Sequence, residues 1–517
     1  VNAPAQVARD QQHTLFVRGV ADEALPAVVL TLTHKTPGSV LLVDDDRFQN
    51  VEAAYQTVLA RAGLTYDLWE TGWSNDVRGS PRAEFLQAYD LVVWFTGYDW
   101  FQPVSPAENE ALGHYLDGGG RLFLSSQDYL ARNRASSIAR DYFGVATYQE
   151  SITPTLIYTN NLLGIAPSLE NPAPLNYGAY QNYSDGVVVA PEAVPFLWHN
   201  QGAAAGTVNH GPGSRGDDWR VVFLAMPFET LPGDARNIVF QAVLDQLSVL
   251  GDTRFAADLR SATANRPRTY TMTITNSSDQ PRHIWMINTL PAELNLQNAA
   301  PPLEYDHAEK TLRWDGMLAA GERFALTYTA TPDRQLPAGR RIDNTVAIRS
   351  MPLTPQSPHS LDGQTIERTA STWIDAPDLH RSTITAQTRP DQILVDGETR
   401  DIQIITYTLR LRNDGPANGR DITTTLSLPQ SLHEIEGSQE VSAGELHVEA
   451  WRVFWRGSLA AGQTVTATVA LTRTARFSPP LPAAAYIADG VTDLLIVPHT
   501  LDPLPYRAAL PVILAQP

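Results

Sequence analysis

The chain has no cysteine among its 517 residues. That excludes disulfides, thiolate nucleophiles and cysteine-ligated zinc. Lysine is almost as scarce: Lys35 and Lys310 are the two, and every other basic residue is arginine. A Lys–Asn isopeptide crosslink therefore cannot form within residues 377–517. No run reaches the roughly 20 apolar residues of a membrane span. Positive charge is in short supply as well, with 38 Lys and Arg against 56 Asp and Glu and a formal net charge of −18. That balance disfavours nucleic acid, whose phosphates require clustered Lys and Arg, and anionic lipid surfaces. The absence of thiols together with an acidic surface points to export from a bacterial cell. The chain opens at Val1 with no signal peptide and closes without an LPxTG-type sorting motif. It reads as a processed product or a window onto a longer precursor.

What is present is ample core material. Hydrophobic residues make up 43% of the chain, and a prior of roughly one domain per 150 residues suggests three or four cores. Residues 1–37 hold two β-branched segments, His13–Gly19 and Ala27–His34, that read as a hairpin left over from an Ig-like domain. Residues 38–250 alternate strand and helix, as a parallel sheet covered on both faces requires. Its strands are Ser39–Val43, which is continuously apolar, Thr65–Trp69, Leu91–Phe95, Arg121–Leu124 and the late buried Arg220–Ala225. Ser105, Pro106, Ala107 and Glu108 start a helix, and another runs over Ala235–Leu247. The stretch 146–215, rich in Tyr, Asn, Pro and Gly, reads as irregular β structure.

Residues 251–376 and 377–517 are all-β and repeat each other. Tyr270-Thr-Met-Thr-Ile-Thr-Asn276 matches Tyr407-Thr-Leu-Arg-Leu-Arg-Asn413. Thr289-Leu-Pro matches Ser427-Leu-Pro, and Trp314-Asp-Gly-Met-Leu-Ala-Ala-Gly321 matches Trp455-Arg-Gly-Ser-Leu-Ala-Ala-Gly462. Long offsets of 137 to 141 residues mean duplicated sandwiches rather than a short-period solenoid. The predicted fold class is multidomain: a doubly wound α/β domain followed by two Ig-like β-sandwiches, with an N-terminal β-hairpin.

These motifs carry resemblances. The Tyr-Thr-x-x-x-x-Asn, Leu-Pro and Trp-x-Gly-x-Leu-Ala-Ala-Gly set resembles the DUF11-like Ig-like repeats of bacterial surface proteins, which implies spacers and assembly modules. Residues 38–250 resemble the class I glutamine-amidotransferase-like (flavodoxin-like) fold, through Gly118-Gly-Gly-Arg-Leu-Phe-Leu-Ser125 and Val222-Phe-Leu-Ala-Met-Pro-Phe-Glu229. That family places a nucleophilic cysteine after the fourth strand and a His-Pro-Glu after a late strand. Here Ser125 and Ser126 stand at the first place and Met226 at the second, so the activity is not expected. The whole order, with the apolar tail Tyr506–Leu514, is similar to the region after the catalytic domain of secreted subtilisin-like proteases.

Four groups are candidate sites. Asp44, Asp45 and Asp46 follow the first strand; they are a helix-entry acid cluster or a weak calcium or magnesium site. Ser125 or Ser126 with a distant histidine is the hydrolase reading, but Leu124-Ser-Ser-Gln-Asp128 lacks the glycines of a G-x-S-x-G elbow. Tyr98, Trp100 and Phe101 stand at the carboxyl edge of the sheet, where ligands of open α/β sheets bind. Tyr177, Tyr180 and Tyr183 lie in the irregular insertion; with the first three they form a candidate surface for a protein or glycan, or pack on their own domain. The twelve histidines show no zinc spacing. The function expected is a non-catalytic, extracellular structural protein of a bacterial surface, self-associating into a filament or layer by strand addition, with no cofactor. The alternatives are the binding region of a secreted subtilisin-like protease and, least favoured, a hydrolase at the α/β domain.

Overall fold

The computed structural model describes residues 12–17, 28–33 and 40–501, apart from 48, 72–78, 134–135, 160–171, 179–180, 215–217, 353–362, 396–397, 430–431, 436, 450 and 475–480. Tyr180 and the tail Tyr506–Leu514 lie outside the described residues. Strand accounts for 48% and helix for 14%, so the molecule is mostly β. Strands β1 (Gln12–Val17) and β2 (Val28–Thr33) pair antiparallel over six residues. Among the described residues they pair with nothing else.

Strands β3 (Val40–Asp44), β4 (Tyr66–Glu70), β5 (Leu91–Phe95), β6 (Arg121–Ser125) and, after the insertion, β7 (Gly206–Gly211) and β8 (Trp219–Leu224) belong to one seven-stranded sheet. The order is Val194–Pro195, β7, β8, β6, β5, β3, β4. The last five run parallel to one another, and β7 joins β8 antiparallel. Alternate residues of β3 enter opposite layers: Val40 and Leu42 pack with helices α1 (Glu52–Arg61) and α3 (Gly233–Leu247), and Leu41 and Val43 with α2 (Pro106–Asp117). A strand buried on both faces must be apolar in its interior, which is why residues 40–43, 91–95 and 122–124 are continuous hydrophobic runs. Helix α2 begins with a capping box: Glu108 N donates to Ser105 Oγ at 3.3 Å, and Ser105 N donates to Glu108 Oε2 at 2.6 Å.

The strands from Arg254 to Ile374 form a four-stranded and a six-stranded sheet around one core, and those from Thr383 to Leu501 form two five-stranded sheets around another. The repeated sequence has a repeated physical role. Asn276 is fully buried; its Nδ2 donates to the carbonyls of Gln280, Leu318 and Ala319, and its Oδ1 accepts from Ser278 N. Asn413 does the same in the second sandwich, donating to Ala417 O and Leu459 O and accepting from Gly415 N and Asp378 N. Each asparagine is a polar plug that bonds carbonyls at a strand end and in the adjoining loop. The glycine two residues after the motif tryptophan is equally constrained. A Cβ on Gly316 would lie 2.5 Å from the Trp314 ring, and one on Gly457 2.6 Å from that of Trp455.

Buried polar bonds join these units. Arg220 on β8 donates to Gln246 O (3.0 Å) and Asp252 Oδ2 (2.8 Å), and also reaches Ser277 Oγ. Arg368, on the strand Thr365–Ile374, donates to Asp245 Oδ2 of α3 (2.9 Å), Gly251 O (3.1 Å) and Thr253 O (3.0 Å). Burial pushes the Asp245 carboxyl up and the Arg368 guanidinium down, each against the other's attraction. The second sandwich meets the insertion: Ser427 Oγ donates to Asn200 O at 3.1 Å, Tyr486 donates to His199 O, and the Tyr486 ring lies 4.3 Å from that of Tyr158.

Two stability outcomes follow, both read by urea denaturation. Arg368→Ala leaves a buried carboxylate unpaired and is expected to cost about 3–5 kcal/mol, whereas Arg368→Met with Asp245→Leu recovers most of that. Asn276→Ala removes three buried hydrogen bonds to carbonyls and is expected to cost about 3 kcal/mol; a loss under about 0.5 kcal/mol would refute the plug.

Candidate functional site

The carboxyl ends of β3, β5, β6 and β8 open on one edge of the sheet, and the turns leaving them carry the polar side chains of interest. At the end of β3, Asp44, Asp46 and Glu52 bring carboxylate oxygens within 4.8 Å of one another. Burial, with repulsion from its acidic neighbours, raises Asp44 to about 6 and Asp46 to about 8. Asp45 does not join them. It is turned inward, accepting from Thr71 Oγ1 at 2.6 Å and Trp94 Nε1 at 3.1 Å. Successive residues leaving a strand point to opposite sides, so three adjacent aspartates do not share one site. Glu52, the first residue of α1, takes the third place.

Arg47 follows with φ at 67°, in the left-handed region. Its Nε donates to Asp99 Oδ2 at 2.5 Å, and its guanidinium lies 5.4 Å from the centre of the Phe101 ring. Asp99 Oδ1 in turn accepts from Phe101 N and Gln102 N. This shapes the turn after β5 and leaves Trp100 and Phe101 outermost, 51% and 59% exposed, edge to face at 6.1 Å. Tyr98 stacks instead on Tyr183, ring centres 6.1 Å apart. Gln127 holds that segment, accepting from Tyr183 N and donating to Gln181 O. Tyr177 is half-buried, its hydroxyl 2.9 Å from Ser184 Oγ. The sequence-derived aromatic surface thus divides: Trp100 and Phe101 face solvent, Tyr98 and Tyr183 form a packed pair, and Tyr177 packs on the insertion.

The two serines are engaged in the fold. Ser125 Oγ donates to Met226 O at 3.0 Å and accepts from Phe228 N at 2.8 Å. Ser126 Oγ accepts from Thr96 Oγ1 at 2.7 Å. Met226 is a core side chain, and Glu229 accepts from Tyr55 OH at 2.7 Å. His199 is fully buried beside the Asp185 carbonyl (3.2 Å), and burial lowers it to about 3. His114 and His210 lie elsewhere, beside Glu110 and Asp252.

Two further acids went unread in the sequence. Asp128, just past the serines, is raised to about 7 by burial and then by Asp99. Asp185, deep in the insertion, is raised to about 8 by burial and then by Asp128. One oxygen of each is buried without a hydrogen-bond partner. Asp128 had a signal in its place after β6. Asp185 had none, because the insertion has no period from which burial can be read. Together these groups make an acidic, half-closed edge suited to holding protons or a cation, with no activated nucleophile among the described residues.

No protein-family model and no curated protein sequence matches the chain. Solved structures similar to it include the collagen-binding domain of the surface protein RspB of Erysipelothrix rhusiopathiae, at 12% identity, covering 49% of this chain and 94% of that one, with a TM-score of 0.18. The C-terminal domain of the AgI/II polypeptide BspA of Streptococcus agalactiae is another, at 11%, 48% and 97%, with 0.19. The collagen adhesin of S. aureus is a third, at 7%, 49% and 94%, with 0.17. These neighbours are bacterial surface adhesins. At such scores the likeness carries no weight for the function of this chain. Among the described residues no helix is long and apolar enough to cross a membrane.

The buried groups give stability a defined pH profile. Folded Asp185 keeps its proton up to about pH 8, while the unfolded chain releases it near pH 4, so stability falls as pH rises through that window. His199 stays neutral down to about pH 3 when folded but takes a proton near pH 6.5 when unfolded, so stability falls as pH drops from there. Asp185→Asn is expected to flatten the alkaline limb by up to about 1.4 kcal/mol per pH unit, and His199→Gln the acid limb. Unfolding free energies measured from pH 3 to pH 9 test both.

Proposed function

We propose that this chain is a non-catalytic structural protein of a bacterial surface, working outside the cell and joined to its neighbours by strand addition. In this reading the parallel-sheet unit is a doubly wound, glutamine-amidotransferase-like domain, and the two sandwiches are DUF11-like repeats serving as spacers. The observation that carries it is the turn after β6. Where the resembled enzymes keep their nucleophile, Ser125 has its hydroxyl used as both donor and acceptor in tying β6 to the 226–228 turn. Ser126 is capped by Thr96. A nucleophile needs a base within hydrogen-bond reach; Met226 and Phe228, not an imidazole, are the partners of Ser125.

Assembly rests on the hairpin. Two strands alone are marginally stable in water, and β1 and β2 pair only with each other among the described residues. Both outer edges of this ribbon present backbone donors and acceptors to any open sheet edge. Buried bonds between the α/β unit and both sandwiches suit a protein that passes load along a chain of subunits. The solvent-facing Trp100 and Phe101 are the patch offered to a surface partner.

The test is negative-stain electron microscopy with light-scattering chromatography on the purified chain and on a variant lacking residues 1–37. Polymers or discrete oligomers that vanish with the deletion are the expected result. A uniform monomer at all concentrations, unchanged by the deletion, would sink the assembly reading.

A further inference from the structure

The acids at the end of β3 exceed what the start of a helix can use. The plain account of Asp44, Asp46 and Glu52 is that they complement the free N–H groups and positive end of α1. That account covers part of them: Asp46 Oδ1 accepts from Gln49 N at 3.1 Å, and Asp44 Oδ1 accepts from Asp46 N at 3.3 Å. It leaves two oxygens over. Asp46 is only 3% exposed, yet its Oδ2 has no hydrogen-bond partner, and neither has the buried Oε2 of Glu52. Buried acid oxygens that face one another need a proton or another positive partner between them. The neighbouring cation does not supply it, because Arg47 reaches the other way to Asp99 and Phe101. Glu70, across from Asp44 in the β3–β4 register, adds negative charge on the same side.

We propose that Asp44, Asp46 and Glu52 bind a hard divalent cation, calcium, in the loop between β3 and α1. All candidate ligands are carboxylate oxygens, the donor class calcium takes. Two oxygens each about 2.4 Å from one calcium are at most about 4.8 Å apart. The three ligand atoms lie within that span of one another. Asp44 and Glu52 are half-buried, which leaves an entry path and room for water to complete the shell. Asp45 is the anchor, held inward by Thr71 and Trp94 so that its neighbours face the ion. The consequence reaches the aromatic rim. The bound ion fixes the loop from which Arg47 extends to Asp99, and Asp99 sets the backbone of Phe101. Calcium thus orders the exposed patch at the edge of the sheet.

The experiment uses the full chain after EDTA treatment and gel filtration. Calcium chloride is titrated by calorimetry, and terbium luminescence sensitised through Trp94 reports occupancy directly. Wild type is expected to bind one equivalent, with a melting temperature that rises with calcium. Asp46→Asn and Glu52→Gln are each expected to weaken binding at least tenfold while keeping the wild-type circular dichroism spectrum. Asp421→Asn, at an exposed carboxylate on the second sandwich, is expected to bind as wild type does. The proposal is overturned if wild type gives neither heat nor terbium signal, if both ligand variants bind as tightly as wild type, or if magnesium binds as tightly as calcium.

Discussion

Arg368 is the side chain on which the arrangement of the molecule turns. It rises from a strand of the first sandwich, is fully buried, and meets the last turn of α3 and the backbone that leaves it. A guanidinium out of water must have its donors filled, and four oxygens around it do so, those of Asp245, Gly251, Thr253 and Glu367. The Asp245 carboxylate on α3 and the carbonyls of the connection meet it together only when the parallel-sheet unit docks on the sandwich as it does. An apolar contact of equal area would tolerate sliding; this one is directional. Arg220 works from the other side of the same linker, meeting Asp252 and Ser277. The short connection 248–253 is held between the two arginines.

The same logic recurs inside each sandwich. Two sheets packed face to face bury carbonyls where their strands end and the loops begin, and those carbonyls must find donors. Asn276 and Asn413 fill those gaps with one side chain each, and the tryptophan lying over a glycine two residues later closes the barrel end beside them. Aspartate in that position would offer no donors, and serine would be too short for several acceptors. The repeated motif is therefore a packing and hydrogen-bonding unit, and its recurrence reflects the same physical problem solved twice.

The edge of the parallel sheet is different in kind. Carboxylates gather there because several strands end together: Asp44 and Asp46 meet Glu52 after β3, and Asp128 after β6 lies near Asp99 and Asp185. Burial first, and then repulsion from the nearest acid (Asp44, Asp99 and Asp128 in turn), pushes Asp46, Asp128 and Asp185 far above the ordinary carboxylate range. Groups raised in this way are poised to hold protons or exchange them for a cation. The serines beside them serve the fold.

Local pattern alone determined a good deal. The unbroken apolar runs at 40–43, 91–95 and 122–124, the Ser105–Glu108 capping box and the duplicated Asn, Trp and Gly positions are each set by neighbours in the chain, through strand burial, helix capping and repetition. Tertiary structure decided the rest. Three consecutive aspartates look equivalent in sequence, yet strand geometry sends Asp45 into the core and recruits Glu52 from the helix. Tyr98, Trp100 and Phe101 look like one aromatic cluster, yet the turn built on Asp99 exposes two of them and stacks the third on Tyr183. Asp185, His199 and Arg368 carry no local signal, because their environment is made by chain segments far away in sequence. Burial and charge pairing belong to the folded neighbourhood of a residue, and that neighbourhood forms only when distant strands meet.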